Sequence, residues 1–318
     1  MLESNPLPIR SRVPNTWRSL LVLVGFILVG MSAGNMLALL ILMKFLSGED
    51  GQLSVNVLTE LIQSPADVPN GWYGLMILQA TAHVCTYLLP PLLYWTYIER
   101  KTIAHFQIRP LSQPLIWVLV LLVVIAFMPF NSLIIEWNAN MHLPDFLQGV
   151  EKWMRDKEDQ MAGMTDFLTE FDTPGQFLLA MLVIAVIPAV GEELLFRGVL
   201  QRKFAEAWAN VHVAIWVSAA IFSAIHFQFY GFFPRMLLGA LFGYLYFWTG
   251  SLSLTIFAHF VNNGFMVLMI YLHQLKVVDM DIEDSDAMPW GAVVVSAFVT
   301  GAILYRIWKE RNKAVVQL

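Results

Sequence analysis

Long apolar runs separated by short polar stretches set the pattern of this chain. Eight of them lie near residues 18–45, 73–97, 114–135, 175–202, 210–227, 234–250, 254–273 and 290–308. Each reaches the roughly 17–25 residues that an α-helix needs to cross a hydrocarbon core about 30 Å thick. A spanning strand would be half as long and would alternate in polarity, so helices are predicted throughout. The fifth and sixth runs are joined by a short aromatic turn, His226 to Arg235. The longest polar stretch, residues 143–172, carries Phe146, Leu147, Val150, Trp153 and Met154 at helical spacing beside Glu151, Lys152, Arg155 and Asp156. That spacing predicts an amphipathic helix lying on the outer surface. The expected architecture is an all-α polytopic membrane protein with about eight spans and one surface helix. Residues 1–318 read as a single membrane domain.

Composition agrees with lipid as the solvent. Of 318 residues, 58% are hydrophobic and only 14% charged, with a mean hydropathy of +0.62. A soluble domain would carry roughly 25% charged residues. The first apolar run stays free of charge from Ser19 to Met43. It is longer than the roughly 7–15 residues of a signal-peptide core, and so is read as an uncleaved membrane helix. The single cysteine, Cys85, lies in an apolar segment and is read as a small buried hydrophobe. No basic cluster with interleaved aromatics appears, which gives nucleic-acid binding no support.

The charges are distributed unevenly. With a cytoplasmic N-terminus, 13 of the 19 Lys and Arg residues fall on the cytoplasmic side: Arg10, Arg12, Arg18, Arg100, Lys101, Arg109, Arg197, Arg202, Lys203, Arg306, Lys309, Arg311 and Lys313. The opposite loops, 46–72, 136–174 and 274–289, hold 4, 9 and 5 carboxylates. The positive-inside rule then places both termini in the cytoplasm, and the plasma (inner) membrane is the expected location.

Polar residues inside the apolar runs point to chemistry. The fourth run, with Pro188 and Gly191 in it, leads straight into Glu192, Glu193 and Arg197. An ionised side chain near the bilayer centre costs about 2.5–3.5 kcal/mol, so these groups need pairing or a wet cavity. Glu193 and Arg197 are four residues apart and share a helix face, while Glu192 points about 100° away as a free carboxylate. Pro188 frees a backbone carbonyl one turn earlier and permits a kink. Phe222 and His226 repeat the one-turn spacing, as do His259 and Asn263. Three helices therefore aim polar groups at a shared interior. Counted along straight helices at 1.5 Å per residue, Glu192 lies about 15 Å deep, His259 about 12 Å and His226 about 24 Å. The other membrane histidines, His83, His212 and His273, are read as satisfied interhelical hydrogen bonds.

These residues resemble the CAAX-protease and bacteriocin-processing family, also called ABI. Its ordered motifs appear as Glu192-Glu193-Leu-Leu-Phe-Arg197, Phe222-Ser-Ala-Ile-His226 and His259-Phe-Val-Asn-Asn263, and the resemblance covers residues 175–275. It implies an eight-helix core like that of the type II CAAX prenyl proteases, opening toward the cytoplasm. It also implies intramembrane peptide-bond hydrolysis, with Glu192 activating water and His226 assisting. His259 and Asn263 would then form the oxyanion hole, and Glu193 and Arg197 would orient the site. The substrate would be a peptide or protein, in the type II case a lipid-modified one. No serine or cysteine stands in motif register, so attack by water is expected over a covalent intermediate. A metal-free mechanism is the preferred reading; a zinc ion held by Glu192, His226 and His259 is the alternative. Two other functions carry the same polar residues: an ion-coupled transporter, which should show inverted repeats that are not apparent here, and a non-catalytic scaffold.

Overall fold

The computed structural model describes residues 16–46, 55–108, 113–279 and 287–315. Arg10, Arg12 and Arg109 lie outside the described residues, as do Glu49, Asp50, Asp281, Glu283, Asp284 and Asp286 of the acidic loops. Every apolar run is helical, and no strand occurs among the described residues. In chain order the helices are α1 (Thr16–Phe45), α2 (Val55–Gln63), α3 (Gly71–Ile98), α4 (Pro114–Ala139), α5 (Gln148–Thr169), α6 (Pro174–Trp208), α7 (Val211–Ala224), α8 (Phe232–Thr249), α9 (Leu252–Gln274) and α10 (Trp290–Val315). The protein is an all-α polytopic membrane protein.

The eight apolar runs differ in how they can span. Six of the helices, α1, α3, α4, α6, α9 and α10, are long and apolar enough to cross a membrane alone. Helix α7 has 14 residues, about 21 Å of rise, and stops at Ala224 before the predicted end. Helix α8 has 18 residues, with Pro234 and Arg235 in its first turn. The turn between them carries His226 into the interior on broken backbone. Such backbone is tolerated at membrane depth only where protein or a wet cavity surrounds it.

Helix α6 lies at the centre. More than half of its apolar window is buried against other helices, the largest share of any candidate span. The peripheral helices instead turn bulky side chains outward: Leu21 and Val29 on α1, Val118 on α4 and Phe298 on α10 are exposed. An apolar surface of that kind belongs against acyl chains. Between α1 and α3, Gly30 removes the side chain where a Cβ would sit 2.2 Å from the Cys85 carbonyl oxygen. Cys85 is buried and unpaired there, as a small packing residue should be.

Helix α5 is the expected amphipathic element: Met164, Phe167 and Leu168 near its end pack against the bundle, while the apolar side chains near its start are open to the surroundings. Phe146 just before it, and Val150 and Trp153 on it, are exposed, which suits a helix lying in the interface with its apolar face toward lipid. Its far end is fastened to the bundle: the Trp72 indole donates to the Leu168 carbonyl at 3.2 Å, and the Gln274 amide to the Thr169 carbonyl at 2.8 Å.

Candidate active site

The site begins with Pro188. Proline has no N–H, so the carbonyl four residues earlier, that of Ile184, loses its helical partner. Helix α6 answers with a π-helical segment over Met181–Val186, and the orphaned carbonyl accepts a hydrogen bond from Asn263 Nδ2 on α9 at 3.2 Å. A second π-helical segment, Leu194–Leu200, follows Glu193. Segments of this type gather at functional sites because they rotate the side chains beyond them. Between the two, Ile187–Glu193 is regular α-helix and presents Glu192 and Glu193 inward.

The Asn263 contact gives a stability prediction. Asn263→Leu should leave the Ile184 carbonyl unpaired in an apolar interior and cost about 1–3 kcal/mol. Thermal unfolding in detergent should show a clear loss for this variant. An unchanged melting temperature would mean that the carbonyl finds another partner.

Glu193 and Arg197 form the predicted pair. Arg197 Nη1 donates to Glu193 Oε1 at 2.6 Å, with the two residues 1% and 0% exposed. The other terminal nitrogen, Nη2, donates to the Gly239 carbonyl of α8 at 2.6 Å. Helix α8 can approach because residue 239 is glycine: a Cβ there would lie 3.1 Å from that of Ala219. The guanidinium sits between the rings of Phe222 (5.2 Å to the centroid) and Phe242 (5.5 Å). Charge, hydrogen bonds and aromatic faces together satisfy a cation that has no water to solvate it.

His259 links this pair to Glu192. Its Nδ1 is 2.9 Å from Glu193 Oε1 and its Nε2 is 3.8 Å from Glu192 Oε2. A carboxylate only accepts, so Nδ1 carries the proton, and Nε2 is the nitrogen turned toward Glu192. The ring stacks on Phe242 at 5.5 Å and meets the edge of Phe222 at 6.0 Å, which fixes its plane.

Glu192 is 4% exposed. It is not the free carboxylate expected from the helical wheel, because His83 Nε2 on α3 donates to its Oε1 at 2.8 Å. His83 does make the interhelical bond anticipated for it, but its partner is the central carboxylate. The bond engages one oxygen and leaves Oε2, the oxygen facing His259, with its lone pairs exposed to the site. Tyr87, one turn along α3, packs against the His83 ring at 4.9 Å. Neither residue belongs to the three motifs. His83 had only one signal in the sequence, a polar side chain in the middle of an apolar span.

His226 enters from the α7–α8 turn. Its Nδ1 lies 2.8 Å from the Phe222 carbonyl, so Nδ1 is the donor and Nε2 keeps its lone pair. The Phe222 ring, one turn back, meets the His226 ring at 5.1 Å and the His259 ring at 6.0 Å. One aromatic thus separates and orients both imidazoles. Glu192 contacts His83 and His259 directly, and His226 is linked to them through the Phe222 ring. His226 itself lies two residues beyond the end of α7, on the turn and not on the straight helix assumed in the depth count.

Asn263 stands apart from these contacts. One amide hydrogen is directed at Ile184, and its Oδ1 accepts from Asn262 at 3.1 Å. Among the described residues no three His, Cys, Asp or Glu side chains are arranged to share an ion.

Comparison with known proteins reaches the same stretch. Residues 174–265 match the family model of the type II CAAX prenyl endopeptidases, Rce1-like. The uncharacterized protein YpbD of Bacillus subtilis (strain 168) is 29% identical over 100 residues, 30% of this chain and 48% of YpbD. The match therefore spans about half the length of that relative. No solved structure matches. The segment that supplies Glu192, Glu193, Arg197, Phe222, His226, His259 and Asn263 is thus the part of the chain that is similar to the Rce1-like type II CAAX prenyl endopeptidases.

Proposed function

We propose that this protein is an intramembrane endopeptidase in which Glu192 activates a water molecule against a substrate peptide bond. The observation that carries the reading is a buried carboxylate between two imidazoles from separate helices, 2.8 Å from His83 Nε2 and 3.8 Å from His259 Nε2. Oε2 is the basic oxygen. His226, with Nε2 free to accept, assists in passing the water proton from Oε2 to the leaving amine nitrogen as the C–N bond breaks. His259 serves the developing oxyanion from Nε2; because Nδ1 already donates to Glu193, it does so as the imidazolium. Asn263 contributes its remaining amide hydrogen. Donors preorganised in a site of low polarity stabilise an oxyanion by about 2.7–4 kcal/mol each. No step is routed through a metal.

The substrate is a peptide or protein with an apolar segment, of the lipid-modified class that the family name implies. An apolar cleft of about 470 Å3 between α1, α3, α6 and α7, lined among others by Leu20, Tyr87, Phe196, Ile225 and Phe227, ends beside the site. It supports lateral approach from the bilayer. Both termini lie in the cytoplasm, and the site opens to that side of the plasma membrane.

The test is direct. The purified protein in liposomes is incubated with a peptide ending in a farnesylated cysteine and three further residues, and products are read by mass spectrometry. Release of the C-terminal tripeptide is expected. Substrate-dependent ion flux without cleavage would replace the reading with that of a carrier.

A further inference from the structure

The turn that holds His226 is fastened by residues outside the three motifs, and most of them come from the amphipathic helix α5. Glu158 Oε2 accepts the Tyr230 backbone N–H at 3.1 Å. Arg155 lies over the Tyr230 ring at 4.2 Å, and the Trp153 ring packs on Phe229 at 5.2 Å. From the other side, Arg235 Nη2 donates to Gln228 Oε1 at 2.6 Å. Buried Asn138 on α4 donates to the Phe229 carbonyl at 3.2 Å and accepts the Phe233 N–H at 2.9 Å. Burial pushes the Glu158 carboxyl up, while the Tyr230 N–H and the Arg235 charge pull it down. It is therefore partly withdrawn from water although it stands on a helix with an exposed face.

We infer that Glu158 is a positioning residue for His226, acting through the backbone of Phe229 and Tyr230, and that α5 is a functional strut of the site. The inference rests on the hydrolase reading for its effect on rate and on geometry alone for its effect on the turn. The turn holds its start by local bonds, His226 N–H to the Ser223 carbonyl at 3.3 Å and Phe227 N–H to the Ala224 carbonyl at 3.2 Å, and its middle, Gln228 to Tyr230, relies on outside residues for most of its fixing. Phe227 sits at φ 53°, a left-handed conformation that costs a bulky residue energy, and the chain from Ile225 to Gly231 forms no regular helix. A brace on Tyr230, four residues from His226, sets where the imidazole lies. Helix α5 can act as a brace because Leu168 and Thr169 tie its far end to α3 and α9.

The test uses Glu158→Ala and Glu158→Gln, each in the wild-type and the His226→Ala background, with the farnesylated peptide as probe. Glu158→Ala should lower kcat about 10- to 100-fold with KM unchanged, the scale on which remote misplacement of a catalytic group acts. Glu158→Gln should restore most of the rate, because its side-chain oxygen still accepts the Tyr230 N–H. In the His226→Ala background, Glu158→Ala should cost nothing further. An equal further loss there would mark a general structural role and overturn the inference, as would an unchanged kcat. Hydrogen–deuterium exchange decides independently of turnover: Glu158→Ala should speed exchange within residues 226–233 and leave α6 and α9 unchanged, and equal protection would also overturn it. A Glu192→Gln control separates the two ideas, since continued cleavage by that variant removes the hydrolase reading and leaves the exchange result standing.

Discussion

Glu192→Gln is expected to abolish peptide cleavage, lowering kcat by about 10²–10⁴-fold, while the protein inserts and unfolds as the wild type does. Glutamine is isosteric, and its side-chain oxygen still accepts from His83 Nε2, the 2.8 Å contact that orients the group. What disappears is the basic oxygen facing His259. A structural role for Glu192 would give the opposite result, turnover retained and stability lost. Kinetics under saturating probe and thermal unfolding of the same preparation separate the two. Turnover within a factor of two of wild type would remove Glu192 from the base role.

The second large effect falls on stability. Arg197→Met should destabilise the protein by about 3–5 kcal/mol, because it leaves the fully buried Glu193 carboxylate facing aromatic rings without its cation. The Gly239 carbonyl would lose its donor as well. Adding Glu193→Gln should recover part of that loss, since a buried ion pair replaced on both sides costs far less than one left half-made. Unfolding of the single and double variants in one detergent measures the coupling. A double variant as unstable as the sum of the singles would show that the two side chains act separately.

Much of this was legible in the sequence, and the parts that were not share a cause. Residue spacing within one helix is local information. It gave the Glu193–Arg197 pair, the Phe222–His226 contact and the carbonyl freed by Pro188, all present in the structure. Contacts between helices carry no such mark. The bond from His83 to Glu192 joins residues 109 positions apart. A lone histidine in an apolar run looks the same whether it meets a carboxylate or a carbonyl. The same limit hid the partner of Asn263, whose amide answers the carbonyl that Pro188 orphans.

The setting of His226 was hidden for a different reason. A straight count over 210–227 puts the histidine on a helix about 24 Å from its starting end, whereas α7 stops at Ala224 and His226 stands on the turn that follows. Apolar content alone does not report where a membrane helix breaks. Helix α5 was visible from its periodicity, but not that Glu158 on it would brace the turn carrying His226. Its charged residues read as a solvated face.

Single-turnover cleavage in H2¹⁸O tests most directly whether Glu192 activates water or attacks the substrate itself. Excess enzyme is mixed with the farnesylated peptide, and the new C-terminal carboxylate is weighed after one turnover. Activation of water predicts one ¹⁸O atom in that carboxylate from the first turnover onward. A first-turnover product carrying only ¹⁶O, with the label appearing in the Glu192 side chain, would mean that the carboxylate had attacked the carbonyl carbon and would contradict the account.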